Sequence, residues 1–166
     1  MLASSARSGQ SARVSDESVE QALSICEGHA NGHYAGPRSE LIPAAEAALG
    51  FSFPPSYRQF IERLGAGSIG SFEVYGLTGQ PFTGVVPDAV GRTLHDRNGP
   101  SRLPHTMLII GSDGMGGDYV LDVSKGAEPP VEVWEGGRSV PGQQLERVGV
   151  SFGSWLLENV RIQART

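Results

Sequence analysis

The chain has 166 residues, of which 39% are hydrophobic, and a formal net charge of −5. This length suits a single domain with one hydrophobic core. The negative charge argues against a protein that follows nucleic-acid phosphates, since such proteins need a basic surface. The single cysteine, Cys26, excludes an internal disulfide and a cluster of thiolate metal ligands. We expect Cys26 to be a buried small hydrophobe, because it lies on an apolar helical face.

The amino-terminal residues, 1–14, are mostly Ser, Ala, Gly and Arg, and this composition predicts disorder. They include no apolar core of a signal peptide, and no apolar run in the chain reaches the length of a membrane span. The sequence therefore predicts a cytoplasmic protein with one folded domain over residues 15–166.

Three helices are predicted in the first half of the chain. The first covers residues 16–27 with Ser15 as its N-cap, the second begins at Pro43 and ends at Gly50, and the third begins at a pair of prolines. Apolar residues repeat at i, i+3, i+4 and i+7 along the first and third helices. These stripes are Val19, Ala22, Leu23 and Cys26 in the first helix, and Tyr57, Phe60, Ile61 and Leu64 in the third.

The segment between the first two helices, residues 28–36, is predicted as a loop that contains His29 and His33. Their i, i+4 spacing suits a metal ion only on a helix. Two glycines interrupt any helix here, and no third ligand lies nearby in the sequence, so we predict no metal site.

The second half of the chain is predicted as strands, loops and one closing helix. Gly65 turns the chain after the third helix, and residues 70–77 alternate as in a half-buried strand. Further segments are a short helix at 87–96, a loop at 95–103, and strands at 107–111, 118–123 and 131–135. Ser151 caps the last helix, which has an apolar stripe. Helices, then strands, then a helix indicate an α+β fold.

The acidic residues are concentrated in residues 113–135, which hold six carboxylates against one lysine and so account for the whole net charge. Such a segment either forms an acidic face that steers a basic partner or is the solvated face of a sheet. Tyr119 and Trp134 lie in the same segment. They are either part of a protein-binding hot spot or packed against a helix, and the sequence leaves both pairs of alternatives open.

The glycine-rich segment 111–118 (GSDGMGGD) lacks the Gly-Lys-Ser/Thr of a P-loop, the following helix of a dinucleotide site and the closing Glu of a calcium loop. It is predicted as a tight connection between strands. Asp113 and Asp118 are a weaker candidate for paired acid/base catalysis. No serine lies in a G-x-S-x-G motif, and His95 and His105 are predicted to face solvent.

Several short motifs occur in an order typical of one family. The residues are Ile42, Glu46, Leu49, Gly50, Phe53, Pro54, Tyr57, Phe60 and Leu64, then residues 73–76, 108–110 and 116–119, and finally Ser151, Phe152 and residues 155–157. In this order they resemble the SUKH superfamily, which is named after fungal Smi/Knr-type cell-wall regulators. The resemblance covers residues 39–160. The chain departs from it at residues 65–67, which are Gly-Ala-Gly where the family usually has Asn-Gly-Gly.

The resemblance implies an α+β domain with helices packed around a curved, mainly antiparallel sheet. Bacterial members are commonly immunity proteins that bind and neutralise a toxin domain, often a nuclease, and fungal members act as signalling scaffolds. We therefore expect a non-catalytic protein that needs no cofactor, metal or small-molecule ligand and does not bind nucleic acid or membranes directly. An acidic surface would suit a basic nuclease toxin. The residues predicted to bind it are Glu73, Tyr75, Asp113, Asp118, Tyr119, Glu132, Trp134 and Glu135.

Overall fold

The computed structural model describes residues 3–166, without the side chains of residues 3–12 and 14–16. Within this range the chain forms five α-helices and seven strands, which confirms the predicted α+β class. The helices are α1 (Ala3–Gly28), α2 (Ile42–Leu49), α3 (Pro55–Arg63), α4 (Ala89–Asn98) and α5 (Phe152–Ala164). The strands are β1 (Gly32–Tyr34), β2 (Gly67–Ile69), β3 (Phe72–Val74), β4 (Met107–Ser112), β5 (Gly117–Asp122), β6 (Val131–Glu135) and β7 (Glu146–Gly149).

The strands of the described residues form two antiparallel sheets rather than one. The first has the order β1-β2-β3 and the second the order β4-β5-β6-β7. The backbone N–H of Tyr75 donates to the carbonyl of Ile110 at 2.8 Å, so the chain leaving β3 runs beside β4. Register shifts between Ile109 and Gly111 and between Val131 and Glu132 interrupt the larger sheet, and such bulges increase the local twist and bend of a sheet.

The helix ends follow local signals in most places. Gly50 ends α2 in the left-handed region with φ 85°, which glycine adopts without steric cost, and the Ser151 side chain caps α5 by accepting from the Ser154 N–H. The first helix differs from the prediction, because α1 begins at Ala3 and Ser15 lies within it. Disorder is predicted for residues 1–14. Residues 1 and 2 and the side chains of residues 3–12 and 14 lie outside the described residues, so this disorder stays a prediction.

Three short strands were not predicted. Strand β1 lies in the predicted loop 28–36, β2 follows α3 directly, and β7 lies before α5. Each has only three or four residues, too few for an alternating pattern to appear. Gly67 allows β2 to approach β1, because a Cβ at this position would collide with the backbone carbonyl of His33.

Helices α1, α3 and α5 pack against one another in the hydrophobic core. The predicted stripes of α1 and α3 are buried, including Cys26 at 2% exposure. Tyr57, Phe60 and Phe152 form an aromatic cluster with ring centroids 5.2–6.2 Å apart. The hydroxyl of Tyr57 donates to the carbonyl of Tyr75 at 2.8 Å, which ties this cluster to the point where the two sheets meet.

Candidate partner-binding surface

Most of the six carboxylates in residues 113–135 are occupied by contacts within the protein. Asp118 and Glu132 are 6% and 3% exposed. Asp118 accepts a hydrogen bond at 3.2 Å from Arg92 of α4, and Glu132 accepts two, at 2.6 and 2.8 Å, from Lys125. Charges this deep in a protein require such partners. Asp118 and Glu132 are predicted to bind a partner. Each is instead buried in an ion pair within the protein, so neither belongs to an exposed binding surface.

Three other carboxylates hold loops and helix ends. Asp122 accepts from the N–H and hydroxyl of Ser124 at the short 3-10 helix Val123–Lys125. Glu128 accepts from the N–H and hydroxyl of Ser56 at the first turn of α3, at 2.7 and 2.6 Å. Asp113 accepts from two N–H groups of its own loop. Of the six acids, Glu135 remains the one with a side chain about half exposed, at 48%. Most of the segment is thus neither a steering face nor a solvated sheet face, and its exposed charge is concentrated at Glu135.

The strand register separates the predicted binding residues onto two faces. Asp118 of β5 pairs with Trp134 of β6. Tyr119 of β5 pairs with Val133 of β6, and Val133 pairs in turn with Glu146 of β7. Because side chains alternate along a strand, Trp134 lies on the face of Asp118 and away from Tyr119. Trp134 is 1% exposed, which removes it from the predicted surface. Its indole Nε1 has no hydrogen-bond partner within the described part of the chain.

Tyr119 is half-buried beside α5. Its ring meets Trp155 edge to face at a centroid distance of 5.2 Å, which is the packing alternative left open by the sequence. Burial raises the pKa of the Tyr119 hydroxyl, and the negative charges of Asp113 and Glu146 raise it further. Strand register places Glu146 in line with Tyr119 across β6, on the same face of the sheet.

Five residues at this end of the larger sheet are hereafter the tip surface: the exposed Met115, Glu135 and Glu146, and the half-buried Asp113 and Tyr119. Strand register places Glu135 opposite Gly117, at the base of the loop that carries Met115. Sequence reasoning missed Met115, because a lone methionine among glycines follows no pattern. It missed Glu146 because β7 was not predicted.

Two predicted binding residues lie beside the tip surface, on and after β3. Glu73 is exposed, and its backbone carbonyl lies next to Gly111 of β4. Tyr75 is only 6% exposed, and burial raises the pKa of its hydroxyl. Glu73 therefore remains available to a partner and Tyr75 does not.

Each member of the candidate acid/base pair contacts a different part of the protein. Asp113 is held by its own loop, and Asp118 by Arg92, which also approaches Asp96 at 3.4 Å. Burial raises the pKa of Asp118, while Arg92 opposes this shift. His95 and His105 are exposed, as predicted.

Within residues 3–166, no group of three or more His, Cys, Asp and Glu side chains is placed to hold a metal ion. None of the helices in the same range has both the length and the apolar character that a membrane span requires.

Comparison with known proteins identifies the family. The SUKH_5 family model, described as SMI1-KNR4 cell-wall, matches residues 16–161, and the chain belongs to this family. No curated protein matches the chain. The motif residues serve the fold: Tyr57 and Phe60 are buried in the core, and Glu46 accepts from the Phe53 N–H and from Arg58. Family membership therefore accounts for the fold, and it does not designate the tip surface.

Proposed function

We propose that this protein is a cytoplasmic, non-catalytic immunity protein, which binds a cognate toxin domain of a bacterial polymorphic or contact-dependent system and neutralises it. The family supports this role, since bacterial proteins that resemble it commonly act in this way. The observation that carries the proposal is the tip surface, which groups carboxylates and apolar side chains at one end of an acidic segment whose other carboxylates, Asp118, Asp122, Glu128 and Glu132, are engaged within the protein.

The charge of the tip surface indicates the kind of toxin. Glu135 and Glu146 are exposed and Asp113 is half-buried beside them. A nuclease needs a basic groove to hold the phosphates of its substrate. An acidic surface seated on that groove would block the substrate, and charge complementarity would speed the encounter. Neutralisation then requires one-to-one binding and no reaction.

A second function is supported by the matched family itself, whose description refers to cell-wall proteins. In that case the chain is a protein-interaction scaffold or regulator, and its partners are signalling or envelope proteins rather than one toxin. The tip surface would serve either role, because both depend on protein binding.

The test is affinity purification of the tagged full chain from its native cells, followed by growth assays. We expect one toxin domain to be recovered in nearly equal amount, and cells that express this domain to survive only when the chain is co-expressed. Recovery of several envelope or signalling proteins, with no rescue of growth, would replace the immunity role with the scaffold role.

A further inference from the structure

Met115 is the most exposed large hydrophobic side chain among the described residues, at 88%. The next in order are Val85 at 70% and Val150 at 67%. Single exposed apolar side chains are common on proteins and need no explanation by themselves. What distinguishes Met115 is the backbone that holds it and the charge around it.

The loop around Met115 is held by several hydrogen bonds. The Asp113 carboxylate accepts from the N–H groups of Met115 and Gly117 at 2.7 and 2.9 Å. The Ser112 hydroxyl accepts from the Gly114 N–H at 3.1 Å, and the Asp113 N–H donates to the Gly117 carbonyl at 3.0 Å. These bonds hold the loop in one conformation without burying the methionine. A preorganised loop loses less conformational entropy on binding than a mobile one.

The surroundings of Met115 are acidic. Asp113 is two residues away in the sequence, Glu135 lies opposite Gly117 across the strand pair, and Glu146 lies on β7 in line with Tyr119 across β6. Arg138 has an 85% exposed side chain and makes only a loose contact of 3.6 Å with Glu135. An apolar centre with a charged rim is the usual arrangement of a binding hot spot.

We propose that Met115 is the apolar anchor of the tip surface, and that it inserts into an apolar pocket rimmed by Arg or Lys on a basic protein domain. This inference rests on the proposed function, because it specifies where that partner binds. Methionine suits the role, since its flexible and polarisable side chain fits pockets of varied shape. The acidic rim selects a basic partner through complementary charge.

The first experiment is photo-crosslinking in the native cells. The full chain carries p-benzoylphenylalanine in place of Met115, with matched chains that carry it in place of Val150 or Ile162, two other exposed apolar residues at 67% and 52%. We expect one adduct from position 115, mapped to a partner segment that contains Arg or Lys. An adduct from 150 or 162 but not from 115 would overturn the anchor and leave the proposed function intact. No adduct at any of the three would also overturn the anchor, while recovery of the toxin domain and rescue of growth decide the proposed function separately.

The second experiment measures affinity with the partner domain so identified. We expect Met115→Ala to weaken binding by at least about 30-fold, and Met115→Leu to retain most of the affinity because it preserves apolar volume. Ile162→Ala is the control and should leave binding unchanged. Because Met115 and Ile162 are both exposed, all three variants should have the wild-type midpoint of unfolding. Wild-type affinity in Met115→Ala, or a mapped partner segment without basic residues, would overturn the inference.

Discussion

Replacement of Glu128 tests whether the acidic segment serves the fold rather than a partner. Glu128 accepts two hydrogen bonds, at 2.7 and 2.6 Å, from the N–H and hydroxyl of Ser56. Ser56 is fully buried at the first turn of α3. The carboxylate thus acts as an N-cap supplied from 72 residues away, where the positive end of the helix dipole also favours its charge.

The expected cost follows from these contacts. Loss of an N-cap costs about 0.5–2 kcal/mol, and a buried donor without an acceptor costs about 1–3 kcal/mol. These values describe partly the same loss and do not add, so we expect Glu128→Ala to lower the free energy of unfolding by about 2 kcal/mol. For a protein of this size, 1 kcal/mol shifts the Tm by about 2–4 °C. The predicted decrease in Tm is therefore about 4–8 °C.

The matched control is Glu135→Ala, which removes the same charge from the same segment. The Glu135 side chain is 48% exposed and makes one loose ion pair at 3.6 Å, and such pairs contribute about 0–1 kcal/mol. Thermal and urea unfolding of both variants measures the difference in stability. We expect the stability of Glu128→Gln to be intermediate, because its amide oxygen can still accept a hydrogen bond from Ser56. Equal midpoints for Glu128→Ala and Glu135→Ala would refute the structural role of Glu128.

Three further predictions concern single contacts. Arg92→Gln should raise the pKa of Asp118 further, since Arg92 favours the ionised carboxylate against the effect of burial. The variant should be less stable than wild type at neutral pH, by an amount that shrinks as the pH falls through this pKa and the carboxyl is protonated in both proteins. Carboxyl-carbon NMR titration and unfolding at several pH values measure both effects, and an unchanged or lower pKa would contradict the assignment. Tyr57→Phe removes the buried hydrogen bond to the Tyr75 carbonyl and should cost about 1–2 kcal/mol in urea unfolding, whereas a midpoint equal to wild type would show that this bond contributes nothing. Ser151→Ala removes the α5 cap and should cost about 1 kcal/mol, with faster amide exchange in the first turn of α5; unchanged exchange would exclude that role.

Local sequence signals were sufficient for most of the helices. The stripes of α1 and α3 are buried as predicted, and Gly50 and Ser151 end and begin their helices. These features depend on residues within about one or two turns of each other, which a linear pattern can represent. The same reasoning failed for β1, β2 and β7, since strands of three or four residues depend on a partner strand for their hydrogen bonds.

The candidate site was predicted only in part. The sequence indicates an acidic, aromatic-bearing sheet, and Tyr119, Asp113 and Glu135 do lie at one end of it. It cannot show that Asp118 and Trp134 share a buried face, because register between strands is set by the whole sheet. Met115 became a candidate only when its exposure and the fixed loop were known.

The amino-acid sequence by itself determined the α+β class, the main helices, the family and the concentration of charge in residues 113–135. Only the tertiary structure decided what each of those charges does. Glu128 caps a helix far away in the chain, Glu132 pairs with Lys125 inside the protein, and Glu135 remains exposed. The physical reason is that the role of a carboxylate depends on which donors come within hydrogen-bond distance, and those donors are brought together by folding rather than by neighbouring positions in the sequence.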